Sequence, residues 1–172
     1  MTCLRLALVA ALPLLSACTA IVPIDLSRQV TIDAGGGAFA QTQGIDLTAN
    51  ADVWGRRDHI DAISVDEVTA RVLSVDGGNQ ASAISLSLGF RADGAPTDGS
   101  QDLAVGTLSG LPLVAGASAS LPGSAQLDHF LLGALKGTGH FTVVVSGDLS
   151  GPTSAVVEIA VKGSAAYKMT GG

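Results

Sequence analysis

Between Ala83 and Arg91 the apolar residues occupy every second position. Ile84, Leu86, Leu88 and Phe90 fall on one side, and Ser85, Ser87 and Gly89 fall on the other. Successive side chains of a strand point to opposite faces, so this spacing dictates a strand buried on one face and wet on the other. A sheet of such strands is antiparallel and packs its core on a single side. The same period returns at Val30 and Ile32 within Arg28–Asp33, and at Ile45, Leu47, Ala49, Ala51 and Val53 within Ile45–Trp54. Val68–Val75 is rich in β-branched residues, while Leu103–Leu108, Leu113–Leu121, Phe141–Val145 and Val156–Val161 supply further strands. The last of these is expected to run on to Met169.

Breakers separate these segments. Gly35-Gly36-Gly37 reads as a flexible loop, and no Lys-Ser or Lys-Thr follows it to make a phosphate cradle. Asp76-Gly77-Gly78-Asn79 has the composition that closes a hairpin. Residues 92–102 form an acidic polar loop, and Gly110-Leu111-Pro112 is expected to divide two strands. Arg56–Ala62 is the densest charged stretch and is expected to form one helical turn capped by Asp58. In one place only the period changes. Leu127, Phe130, Leu131, Ala134 and Leu135 recur at helical spacing, with Gly123-Ser124 before them as a cap and Lys136 and Gly137 after them.

About eight strands and one short amphipathic helix, without strand–helix alternation, exclude a parallel α/β sheet and favour a single antiparallel β-sandwich of Greek-key type. The helix is expected to cap one open end. An outer-membrane barrel would need aromatic girdles at both interfaces, and Trp54, Tyr167 and four Phe cannot supply them.

The first residues follow a different logic. Arg5 is the sole charge before an apolar run from Leu6 to Leu15, interrupted by Pro13 and followed by small residues. That order marks an export signal. Leu15-Ser16-Ala17-Cys18 resembles the lipobox of bacterial lipoproteins. The resemblance implies removal of residues 1–17, acylation of the Cys18 thiol and a lipidated N-terminus and tether over 18–27. The β-sandwich domain is then expected over 28–172, with a first strand beginning at Ile24 as the alternative to a tether. It also implies a bacterial envelope protein whose partner is the membrane itself, with Thr19 rather than Asp after the cysteine compatible with outer-membrane sorting. A retained anchor is the alternative, since Leu6–Ile24 approaches the ~20 residues of a spanning helix. Pro13, Pro23, Ser16, Cys18 and Thr19 cut that run.

Composition narrows function by exclusion. Residues 18–172 hold eight basic and fifteen acidic residues, a formal charge of −7. Arg56-Arg57 is the only adjacent basic pair, so no nucleic-acid partner is expected. With Cys3 removed and Cys18 acylated no thiol is left for a nucleophile, a disulfide or a thiolate metal site.

Three groups of residues carry possible chemistry. Asp58, His59 and Asp61 beside Arg56 and Arg57 offer a general base or a metal ligand, against the plainer reading of a turn whose carboxylates pair with its own arginines. His59, His129 and His140 could share a zinc ion, but none stands four residues from another. Asp93, Asp98 and Asp102 lie in a glycine-rich loop without the alternating acids of an EF-hand, so a solvated hairpin loop is favoured over a calcium site. Trp54 is expected to anchor the core at a strand end. There is no GxSxG elbow. The sequence therefore leads to a lipid-anchored envelope protein with a non-enzymatic interaction or structural role, an unidentified envelope protein as partner, and no cofactor or metal. The alternatives are a small-ligand or ion-binding lipoprotein with a cleft near the helix over 126–135, and a hydrolase around His59.

Overall fold

The computed structural model describes residues 19–168. Eight strands run in chain order as β1 (Thr19–Ala34), β2 (Gly37–Asp46), β3 (Ile60–Val75), β4 (Ala83–Ala92), β5 (Leu103–Pro112), β6 (Ser118–Pro122), β7 (His140–Leu149) and β8 (Thr153–Lys168). A one-turn helix α1 (Ala51–Trp54) lies between β2 and β3, and helix α2 (Ala125–Lys136) between β6 and β7. None of the described helices is long and apolar enough to cross a membrane.

The strands pair as nested shells. β4 pairs with β5, β3 with β6, β2 with β7 and β1 with β8, every pair antiparallel. The chain is thus one long hairpin folded about the β4–β5 turn. Rolling that hairpin adds the β3–β8 and β4–β7 pairings and splits it into two sheets, β1-β8-β3-β6 and β2-β7-β4-β5. Two four-stranded sheets in this order form a jelly roll, the β-sandwich made of two Greek keys. The mainly-β, antiparallel Greek-key sandwich read from the sequence is the architecture observed.

The core fills the space between the sheets. Val157, Ile159 and Val161 of β8 face Ile84, Leu86, Leu88 and Phe90 of β4 and Val143 and Val145 of β7 across a layer of mostly small side chains. Three aromatics close one end: the rings of Phe90, Phe130 and Phe141 lie 5.1–5.7 Å apart, centre to centre, in tilted and edge-on arrangements.

Helix α2 is as the spacing predicts. The Ser124 hydroxyl accepts from the Leu127 N–H at 3.2 Å, and Leu127, Leu131 and Leu135 are buried against the sandwich. Asp128 adds an unexpected tie. Its carboxylate accepts the Val65 N–H at 2.8 Å, at the point where β3 bulges against β8 between Val65 and Glu67. Val65 lies past the Glu67–Pro122 pair at which β6 ends, so the carboxylate takes the place of a strand acceptor there. The approach is close enough that a Cβ on Gly123 would overlap the Val65 carbonyl.

Several expectations are corrected. The tether expected over 18–27 is, from Thr19 onward, the first half of β1, paired residue by residue from Thr19 with Lys168 to Ser27 with Ala160. Ile24 and Leu26 are buried there, which holds the segment in the sheet. The sandwich domain therefore includes residues 19–27, ahead of the start expected at residue 28, while the signal over 1–17 and Cys18 lie outside the described residues. Of the strand expected over Ile45–Trp54 only Ile45 and Asp46 are in one, as the end of β2. Asp46 accepts both the N–H and the hydroxyl of Thr48, at 2.8 and 2.6 Å, and Asn50 accepts the Val53 N–H at 3.2 Å. These caps wind Leu47–Ala49 and Ala51–Trp54 into turns, and Leu47 and Val53 are buried by helical rather than alternating geometry.

Asp58 lies inside a 3-10 turn, Arg57–His59, instead of capping one, and β3 takes over at Ile60. Asp76–Asn79 closes no hairpin, because β3 and β4 belong to different sheets. It forms a corner bonded to the β7–β8 corner through Asp76 N–H to the Ser154 carbonyl and Gln80 N–H to the Pro152 carbonyl. Gly110-Leu111-Pro112 does not divide two strands either. β5 runs through it, with Gly110 at φ +66° as the ladder shifts register. The last strand reaches Lys168, and Met169, to which it was expected to run, lies outside the described residues.

Candidate functional site

An apolar concavity lies along α2. Phe130, Gly133 and Ala134 of the helix form one wall, and Ala92, at the end of β4, lies opposite, around a cavity of about 360 Å³. Gly133 opens this wall, since a Cβ there would touch nothing. Its polar rim consists of Asp93, His129, Thr138 and His140. An apolar floor with a few polar groups at the mouth suits a small, largely hydrophobic molecule.

The histidines are thereby partly brought together. His129 and His140 stand on the same rim, one from the helix and one from the start of β7, while His59 sits exposed in the 3-10 turn and lines no part of this cleft. Among the described residues no group of three or more His, Cys, Asp or Glu side chains is placed to hold a metal. His140 has its own partner, with Nδ1 at 3.5 Å from the Asp46 carboxylate. Asp46 is held below the usual carboxylate range, chiefly by the Thr48 hydroxyl and further by the nearby His140.

A second, shallower depression of about 520 Å³ lies between β1 and the β2–β3 connection, bordered by Asp25, Arg28, Asp46 and Asp52. Asp52 is bonded there to Arg56 at 3.1 Å.

The charged turn at 56–62 disperses its charges. Asp58 pairs with Arg57 at 3.7 Å, and Asp61 pairs with Lys168 at 3.1 Å on the neighbouring strand. The Arg57 guanidinium lies 4.2 Å from the centre of the Trp54 ring, and Arg56 lies 5.5 Å from that of Tyr167. Trp54 is half-buried beneath that cation and packs on the backbone at Gly139 (φ +79°), where a Cβ would come within 2.7 Å of the ring. It anchors the end of α1 rather than the end of a strand.

In the loop after β4 two of the three carboxylates, Asp98 and Asp102, are already engaged. The Asp102 oxygens accept Nε and Nη2 of Arg91 at 2.7 and 2.8 Å, a two-pronged pair with little solvent access. Asp98 accepts the N–H and hydroxyl of Ser100, which hold it below the ordinary carboxylate range. The loop joins the paired strands β4 and β5, so it is the hairpin connection expected. Sequence reasoning missed the Arg91–Asp102 and Asp128–Val65 bonds. Only the strand register, which the sequence did not reveal, could have indicated either.

No protein-family model matches the chain, and no curated protein matches it. Among solved structures it is similar to a chain titled Desmodium yellow mottle tymovirus, with 8% identity, TM-score 0.38 and 98% of each chain covered. It is also similar to the decameric BFDV capsid protein, with 12% identity, TM-score 0.39, and 85% of this chain and 99% of that one covered. Turnip yellow mosaic virus gives 11% identity, TM-score 0.29, and 100% and 93% coverage. With scores this low, the jelly-roll assignment rests on the strand order and register of this chain itself.

Proposed function

We propose that this chain is a lipid-anchored bacterial envelope protein with a non-enzymatic binding or structural role, acylated at Cys18 and sorted to the outer membrane. The observation that carries the reading is the order of Arg5, the apolar run Leu6–Leu15 and then Leu15-Ser16-Ala17-Cys18, ahead of a β-sandwich that is already in its first strand at Thr19, the first described residue. Acyl chains on Cys18 would hold the protein at the bilayer by its N-terminal end. Each buried methylene contributes ~0.8 kcal/mol, so one chain anchors weakly and two or three anchor firmly. The acidic surface adds little attraction to anionic lipid, which leaves the anchoring to the acyl groups. An envelope protein held at the same surface is the proposed partner, met at the high local concentration that tethering gives. Cell fractionation tests this. The wild-type chain is expected in the membrane fraction and Cys18→Ala outside it; a variant that stays with the membrane and keeps the wild-type electrophoretic mobility would sink the reading.

The cleft beside α2 favours a second reading, a carrier or sensor of a small hydrophobic ligand. Binding there should raise the melting temperature, and Gly133→Leu, which fills the cleft, should remove the rise. A ligand panel that shifts both proteins equally would dismiss it.

A further inference from the structure

Four strands lie at sheet edges: β1, β6, β2 and β5. An edge strand offers unpaired backbone donors and acceptors, and most folds obstruct such edges with charge, proline, bulges or brevity. Three of the four are obstructed here. β1 carries Pro23 with Asp25, Arg28 and Asp33. β6 has five residues and ends on Pro122. β5 shifts register twice against β4, holds Gly106 and Gly110 at positive φ, and ends on Pro112. β2 opens on Gly37 at positive φ and ends on Asp46, but between these two ends it has none of these devices. Gly37 to Ile45 contains no charge and no proline, and its ten-residue register with β7 is unbroken.

The edge is also self-complementary. Antiparallel pairing of two β2 strands about Thr42 sets Thr42 against its own equivalent and Gln41 against Gln43. It sets Ala40 against Gly44 and Phe39 against Ile45. No like charges meet, and the glutamine amides can donate to and accept from each other. An aromatic lies opposite a β-branched residue, a favourable cross-strand pair. One side chain reaches this edge: Arg28 Nε donates to the Gly44 carbonyl at 3.3 Å. A carbonyl oxygen has two lone pairs, so that contact leaves Gly44 able to accept from a second strand.

We infer that β2 is a pairing strand for a second copy of this chain, joining two β2-β7-β4-β5 sheets across a twofold axis. The contact is isologous, the same strand on both copies, and therefore closes at two. It goes beyond the proposed anchoring and stands whether or not Cys18 is acylated.

The test uses the full chain. Thr42→Cys, mildly oxidised in the membranes or fractions that contain the protein, is expected to give a disulfide-linked dimer as the main species on a non-reducing gel. Wild type, holding only Cys3 and Cys18, and Thr31→Cys on the exposed face of β1 should run on that gel without the disulfide-linked species, their dimers being non-covalent. In detergent, light scattering should show wild type at twice the protein mass of Thr42→Lys, with the two circular-dichroism melts alike. Thr42→Cys crosslinking no better than wild type, a monomeric wild type, or a dimer that survives Thr42→Lys would each overturn the inference.

Discussion

At the scale of single residues, the structure rests on a few polar groups that fix backbone the core cannot reach. Arg91 and Asp102 are the clearest pair. The carboxylate raises the guanidinium's affinity for its proton through their hydrogen bonds, and both lie beneath the loop they close. Asp102→Ala strands a charge with little access to water. It is therefore expected to lower the urea midpoint more than Asp98→Ala, whose partner Ser100 is exposed. Equal losses would show that the pair does no more than a surface contact. Asp46 and Asp98 define the acid limit. Both are held below the carboxylate value of 3.8, first by the hydroxyls of Thr48 and Ser100. A depressed folded value means stability that is present above the unfolded value and is lost as pH falls through the folded one. Carboxyl titration by NMR should find both below 3.8, and Thr48→Val should move Asp46 upward. An unmoved Asp46 would mean that the hydroxyl is not the cause.

At the scale of elements, what could be read depended on how local the signal was. β4 and α2 were legible because each repeats one period over several turns or residue pairs, with end signals in the right place. The stretch from Leu47 to Trp54 was not, because its alternation is accidental and the decisive groups are the side-chain caps Asp46 and Asn50. The part of β1 before Ile24 was hidden by Pro23, which an edge strand tolerates, while a strand from Ile24 stood as the alternative to a tether. Helix α2 can be dissected directly. Leu131→Ala should cost about 2–5 kcal/mol, as for a buried leucine. Ser124→Ala should cost about 1 kcal/mol, as for a lost cap. Both are read by chemical denaturation. If Leu131→Ala proved no worse than the cap, the helix would not be closing the core.

At the scale of the whole molecule, alternation told which face each strand buries but not which strand lies beside it. Hence the sandwich was legible and the nested pairing was not. β1 finds β8 across most of the chain, Thr19 against Lys168. Such long-range pairing predicts refolding in milliseconds to seconds rather than microseconds, checked by stopped-flow fluorescence of Trp54. The candidate sites were scattered by the same topology, with His129 and His140 on one cleft and His59 apart from it. What the fold does with this arrangement depends on where it is held. The most direct measurement is the intact mass and N-terminal peptide of the protein extracted from its native cells. Lipidation predicts a polypeptide that starts at Cys18 and carries the mass of a diacylglyceryl group. An unmodified cysteine, or a chain still starting at Met1, would contradict it.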